Sequence, residues 1–339
     1  MTSVKDRRVA TEPTESELGR GSFVFTDDYS VFDWGKMPDE IPAKGSALCA
    51  MGADNFERLE AEGVPTHYRG VVVGDEVRSL DETDEAPREM AIEYAQVPTL
   101  PHPNGEYDYE AYHREAGENY LVPLEIVFRN VVPEASSLRK RREPGDLGLE
   151  YDTWPAEAVD LPEPVVEFST KFEEQDRYLD REEAARIAGA TDLDHLEELA
   201  LEANRVVTER ADEVGLTHQD GKIECLYHRG KVKIADVVGT FDENRFARDD
   251  QQVSKEVVRQ YYRRTDPDWV EAVEEAKIEA NVEGVADWRT LCDLNPKPLP
   301  DHVIRAVADM YKAGANAYTG RSFFDAPDLE DAVEAIRTL

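Results

Sequence analysis

TDDYSVFDWGKMPDEIPAKG, residues 26–45, gathers Asp27, Asp28, Ser30 and Asp33 close to Lys36 and Lys44, and a helix pattern starts just beyond Gly45. Carboxylates, a hydroxyl and ammonium groups this near one another, in turns fixed by Pro38, Pro42 and Gly45, suit a polar site better than a core. Solvated loops use the same residues, so composition leaves both readings open at this point.

Upstream, Lys5-Asp6-Arg7 puts two cations on one side of an extended segment, because alternate residues share a face. GSFVF (21–25) reads as a strand. Downstream, residues 46–63 place Leu48, Met51, Phe56 and Leu59 at helical spacing and stop at Gly63. Residues 64–73 read as a strand. The stretch 74–119 turns acidic and then rich in proline and tyrosine, which predicts a surface insertion with a short helix near 109–115. Its His102 and His113 show no ligand pattern.

YLVPLEIVFRN (120–130) predicts one buried strand crossing between two lobes. SSLRKRR (136–142) is the strongest basic run, readable as a solvated loop or as an anion site. Asp180 and Glu183 predict a capped short helix. Residues 191–214 predict a long amphipathic helix with Leu193, Leu196, Leu199, Ala203, Val206 and Val207 inward. Residues 218–238 predict a hairpin turning near His228-Arg229-Gly230, with Lys222 and Glu224 on one face and Ile223 and Cys225 on the other. From Ser254 onward the chain reads as helices, and the prolines at their openings suit first-turn positions.

Lys plus Arg number 39 and Asp plus Glu 74, a net charge of −35 in 339 residues. That charge repels nucleic acid and anionic membranes over most of the surface. Hydrophobic residues make up 40% of the chain, enough for a core, so adaptation to high salt explains the acidity better than disorder. Cys49, Cys225 and Cys292 show neither CxxC nor zinc spacing and read as reduced thiols of a cytoplasmic protein. No apolar run reaches membrane-spanning length.

Several of these segments, in this order, resemble SAICAR synthetase, the ATP-dependent ligase of purine synthesis. DYSVFD with IPAKG resembles the family's D-x-S-x-x-D and IPxKG, and GVPTHY its GIPTHF. Lys5 and Arg7 fall on its GKxK strand. VPLEIVFRN resembles the segment whose backbone meets adenine, carrying Leu124, Glu125 and Arg129. Ser137 and Arg141 fall near GSxxKR, and STKFEEQD resembles STKxExxxHD, giving Lys171 and Asp176. DGKIECLY resembles DxKxEFG, giving Asp220, Lys222 and Glu224. ADVVGTFDENRF resembles GDExxxPDSSRF, giving Asp236, Asp242 and Arg245, and SKEVVRQYY resembles DKxxxRxYL, giving Lys255 and Arg259. Val237 stands where the family usually carries a second acid, and Asn244 near a usual serine.

The resemblance implies an α+β fold of two lobes, related to the ATP-grasp enzymes. A β-rich nucleotide lobe would span 1–121, a catalytic and substrate lobe 122–264, and a helical extension packed on the latter 265–339. The implied reaction joins 5-aminoimidazole-4-carboxylate ribonucleotide (CAIR) to L-aspartate through an acyl phosphate. ATP and Mg²⁺ would be bound, with Mg²⁺ on Glu224 and Asp236. Lys5, Arg7, Leu124, Glu125 and Lys171 would contact ATP. Ser30, Asp33, Lys44, Arg129, Ser137, Arg141, Asp242, Arg245 and Arg259 would bind substrate. Lys222, Asp220 and Asp176 would serve the chemistry. A small-molecule kinase of the same fold and a nucleotide- or RNA-binding module are the alternatives, and a homo-oligomer is compatible with the sequence. The surface charge sets a first test: melting temperature should fall steeply as salt is diluted from molar to millimolar, measured by a thermal scan across that range.

Overall fold

Two antiparallel sheets meet along strands that exchange backbone hydrogen bonds, and one continuous apolar core runs through both. The computed structural model describes residues 4–134, 136–173, 176–285 and 287–339, apart from the side chain of Asn104. The first sheet holds β1 (Lys5–Thr11), β2 (Gly19–Phe25), β3 (Tyr68–Val73), β4 (Glu76–Arg78) and β5 (Glu89–Tyr94), in the order β1-β2-β5-β3-β4. Helix α1 (Lys44–Ala61) covers it, starting two residues earlier than its apolar pattern suggests. The sheet corrects the expectation that 74–119 is a surface insertion. Strand β5 sits at the sheet's centre, with Ser22 opposite Ala91 on one side and Val71 opposite Met90 on the other. Met90 and Ile92 are fully buried. Only the later part of the stretch, with α2 (Tyr109–Ala116), follows the expected course.

The second sheet contains β6 (Asn119–Leu121), β7 (Leu124–Val132), β8 (Val159–Thr170), β9 (Thr217–His228), β10 (Lys231–Ala235), β11 (Arg245–Arg248) and β12 (Gln251–Gln252). The single strand expected over 120–130 is two, because Pro123 cannot donate to a ladder. Residues before that break pair with the far half of β9, and residues after it pair with the near half. β9 is the spine of this sheet. Its first half lies between β11 and β7, with Asp220 opposite both Arg245 and Arg129. Its second half lies between β10 and β6, with Glu224 opposite Ala235 and Tyr227 opposite Tyr120. The expected hairpin is therefore present, turning at Arg229 and Gly230, both in the left-handed region (φ 49° and 80°).

The two sheets are joined where His67 N–H donates to Ile234 O (2.9 Å) and Ile234 N–H to Pro65 O (2.9 Å). Helix α3 (Arg181–Ala188) is capped by the Asp180 carboxylate accepting from Glu183 N–H (2.8 Å). Helix α4 (Leu193–Glu213) buries the six residues expected on its inner stripe. Then come α5 (Glu256–Thr265), α6 (Pro267–Glu283), α7 (Asp301–Thr319) and α8 (Leu329–Arg337). Only Pro267 occupies a first-turn position, since Pro300 is the N-cap of α7 and Pro327 precedes the Asp328 cap of α8. The C-terminal helices do not rest on the second lobe alone. α7 packs along α1, where Tyr318 donates to Asn55 (2.8 Å), and it also reaches Asp242 through Tyr311 (2.6 Å).

Beneath β9, His218 is buried between Phe128 and Phe246. Its ring nitrogens meet Thr208 Oγ1 (2.8 Å) and Asn244 Nδ2 (2.8 Å). Burial holds its pKa down to about 4, although the Asp220 charge works the other way. A histidine kept neutral by the fold contributes stability above its unfolded pKa of about 6.5, lost as pH falls toward the folded value. A gap of that size corresponds to about 3 kcal/mol. The His218→Gln protein should show a shallower loss of urea midpoint between pH 6.5 and 4 than the parent chain.

Candidate active site

Asp220, Lys222 and Glu224 alternate along β9, so the pleat puts all three on one face and sends Ile223 and Cys225 to the core. Asp220 is buried, and its carboxylate accepts from Arg129 (3.0 Å) and is clasped by the Arg245 guanidinium through Nε (2.8 Å) and a second nitrogen. Burial would push the Asp220 carboxyl up, but Arg245 and Arg129 outweigh it and hold it below the ordinary carboxylate range. The remaining donors of Arg129 go to Glu167 (2.9 Å) and the Tyr178 hydroxyl (2.9 Å). Arg129 is thus an inner brace, whereas Arg245 keeps one guanidinium nitrogen without a hydrogen-bond partner among the described residues.

These groups line a chamber of about 610 Å³. Ser30 and Asp33 form one wall, with Asp33 at the exposed rim. Glu125, Asp176 and Lys222 form another, and Ser137, Asp242 and Arg259 complete the contributions expected from the sequence. Lys222 is ion-paired to Glu125 and lies 3.7 Å from Glu243. Burial opposes its charge, but Glu243, Glu125 and Glu224 together raise its pKa well above normal, so it stays an ammonium. Glu125 therefore lines the first chamber beside Lys222.

A second chamber, about 680 Å³, opens between the two sheets. Phe23, Ile92, Tyr94, Leu121 and Leu226 give it apolar walls, and Lys5, Arg7, Lys171, Glu224 and Asp236 supply its charges. Lys5 pairs with Asp236 beneath the Phe23 ring, Arg7 lies over Tyr94, and Lys171 pairs with Glu224. Burial and the neighbouring Asp236 charge push the Glu224 carboxyl up to about 7. Asp236 goes the other way: burial opposes its charge, but Lys5 and Lys171 hold its pKa well below normal. Asp236 follows β10 at φ 65°, a left-handed turn that separates its direction from that of the strand. Among the described residues no group of three or more His, Cys, Asp or Glu is arranged to hold a metal. Val237, at the position of the family's second acid, packs against α1 at Gly52 and leaves the pair Glu224 and Asp236 alone.

The expected site residues are thus divided between two chambers that adjoin along β9. Lys222 lines the first chamber, Glu224 lines the second, and Lys222 Nζ stands 4.0 Å from Glu224. Three expected residues line neither. Leu124 is a fully buried core side chain, because its strand turns it away from both chambers. Arg141 stacks on Tyr178 (3.4 Å to the ring centroid) and binds Glu167 (2.8 Å), one layer behind the wall. Lys44 is fully buried, paired with Asp242 (2.6 Å) and donating to Asp28 O (3.1 Å). It fixes Asp242 from behind.

The structure adds Tyr178, Glu243, Glu256, Arg263 and Arg289 to the first chamber, none of them marked by sequence pattern. Lys255 lines it too, and among the described residues no hydrogen bond or ion pair engages its ammonium. Burial, then the Arg259 charge, lower its pKa. The basic run at 136–142 divides its labour: Arg139 is spent on the carbonyls of Val132 (3.0 Å), Glu157 (2.6 Å) and Pro155, while Ser137 alone reaches the chamber.

Comparison with known proteins bears on the family and the fold. The family model described as SAICAR synthetase matches residues 13–276. A protein of Archaeoglobus fulgidus provisionally named phosphoribosylaminoimidazole-succinocarboxamide synthase is 43% identical over 345 residues, covering 99% of both chains. The Thermoplasma acidophilum protein of that name is 30% identical, covering 89% of this chain and 93% of its own. Among solved structures, the SAICAR synthase of Saccharomyces cerevisiae complexed with SAICAR superposes with a TM-score of 0.60 at 19% identity, over 93% of this chain and 95% of its own. A SAICAR synthetase in complex with ADP gives 0.55 at 22% identity, over 88% and 99%. At these identities the structures bear on the fold.

Lys44 gives this site its test. Removing one member of a buried ion pair strands the other charge, at a cost of about 3–5 kcal/mol. Lys44→Met should therefore unfold at markedly lower denaturant, and adding Asp242→Asn should recover part of the loss, read as a coupling energy in a double-mutant cycle.

Proposed function

Because the chain belongs to the SAICAR synthetase family, an ATP-dependent carbon–nitrogen ligase of purine biosynthesis, we propose that its two chambers divide the substrates between them. ATP takes the chamber between the sheets, and CAIR with L-aspartate takes the other. The single observation that carries this reading is the meeting of the chambers along β9 at Lys222 and Glu224. A phosphoryl group must cross from one substrate to the other, so the two binding spaces have to share a wall.

The apolar slot around Phe23, Tyr94 and Leu226 suits a planar base, and Lys5, Arg7 and Lys171 stand at its charged end for the phosphates. In the other chamber Arg245 and Arg259, with Ser137, offer forked donors to a sugar phosphate. Asp220 and Arg129 keep Arg245 in place. Lys222 would draw electron density from the CAIR carboxylate.

In the reaction the carboxylate oxygen bonds to the γ-phosphorus of ATP and ADP departs. The aspartate amine then attacks the acyl carbon, its C–N bond forms, the C–O bond to phosphate breaks, and the amine loses a proton. Glu125, Glu243 and Asp176 line the first chamber and would supply carboxylates to take that proton. Magnesium prefers one or two carboxylates with phosphate oxygens and water. Glu224 and Asp236, two largely buried acids now neutralised by Lys171 and Lys5, fit that preference. When bound, the ion would offset the charge of the phosphates. The same reading places the enzyme in the cytoplasm of a halophile; no described helix is long and apolar enough to cross a membrane.

Coupled ADP release should require CAIR, aspartate, ATP and magnesium together, with each omission abolishing it. Glu224→Gln should lower turnover by at least about a hundredfold while its melting temperature in molar salt stays near that of the parent. Near-normal turnover in that variant would remove Glu224 from the site.

A further inference from the structure

The SAICAR synthetase match stops at residue 276, and the chain that follows returns to the substrate chamber. The chamber wall over residues 30–35 has an unusual backbone. Phe32 and Asp33 lie at φ 55° and 58°, and Gly35 at φ 97°. Left-handed backbone is unfavourable for a side-chain-bearing residue, so such a turn persists only where its surroundings hold it.

Here the later chain holds it. Arg289 Nε donates to Trp34 O (2.7 Å), and the same guanidinium donates to Asp33 O. Lys277 binds the Asp33 carboxylate (2.6 Å). Trp34 packs edge-on against Trp269 (5.6 Å) and Trp288 (5.9 Å). Arg289 also lies over Trp288 (4.8 Å) and lines the chamber itself, beside Ser30, Asp33 and Gly35.

Three anions must be gathered for the ligation. The nucleotide has the chamber between the sheets, and the ribotide phosphate has the guanidiniums anchored on Asp220. The amine donor brings two more carboxylates, and the wall at 30–35 is assigned neither to the nucleotide nor to the ribotide phosphate. The positive charges acting on Asp33 there include Arg259 and Lys255 as well as Lys277. We propose that the segment beyond the family match builds the aspartate-binding wall, with Arg289 as the positioning residue that holds the 30–35 turn in the shape the amino acid meets. This rests on the assignment of the first chamber to CAIR and aspartate.

Arg289→Ala, assayed at saturating ATP and CAIR, should raise the KM for aspartate about tenfold or more. The KM values for CAIR and ATP should stay within about twofold. Arg289→Lys keeps the charge but cannot bridge two carbonyls with a planar fork, so it should recover only part of the loss. Succinate, a dicarboxylate without the amine, should weaken as an inhibitor competing with aspartate by a similar factor. An unchanged aspartate KM, or an equal rise in the KM for CAIR, overturns the proposal. Should Arg289→Ala fail to fold, Lys277→Gln releases the same turn from its other side and is judged by the same split. A failure of the chamber assignment itself would show earlier and differently, as wild-type ADP release independent of CAIR or aspartate.

Discussion

A charge taken out of water must meet its opposite, and strand β9 buries two charges and half-buries a third within five residues. Asp220 is met by two arginines, Lys222 by Glu125 and Glu243, and Glu224 by Lys171. Arg129 and Glu125 come from β7, Lys171 from just past the end of β8, Glu243 from the turn before β11, and Arg245 from β11 itself. Strands β7 and β11 consequently have to lie on either side of the first half of β9, and the order of the second sheet follows from the pairing of charges as much as from its apolar face. The other face of the same strand, through Ile223 and Cys225, supplies the core.

Set against a net charge of −35, the clustering of cations here is selective. Most surface carboxylates are exposed, where an ion pair contributes about 0–1 kcal/mol and salt screens it. Inside the chambers the same attraction acts with little screening. That difference allows an acidic molecule to collect anionic substrates: long-range repulsion is screened by the medium, and short-range attraction survives in the desolvated interior.

Where sequence spoke of this fold, it did so through local rules. The hairpin ending in Arg229 and Gly230, the α4 stripe and the Asp180 cap each depend on neighbours a few residues away. So does the alternation that puts Lys222 and Glu224 together. What stayed hidden depended on distant partners. EMAIEY alternates as a strand should, but its place at the centre of a sheet comes from β2 and β3, and acidic flanks disguise it as insertion. Lys44 sits in a motif of substrate-facing residues, and only Asp242, 198 positions later, makes it internal. Arg289 had no motif at all. The one available sign was the wide spacing of Trp34, Trp269 and Trp288, large side chains with no obvious reason to be conspicuous on a polar chain.

The packing of α7 along α1 has a bearing on how the protein is made. Helix α1 emerges from the ribosome some 250 residues before the helix that covers it, and Asn55 waits for Tyr318. Asp242 likewise lacks the Tyr311 hydroxyl until that late segment is synthesised. Until then the nascent chain carries an uncovered apolar surface along α1, a natural target for chaperones that bind such surfaces during translation. Completion of the first chamber thereby waits on a segment 69 positions after Asp242.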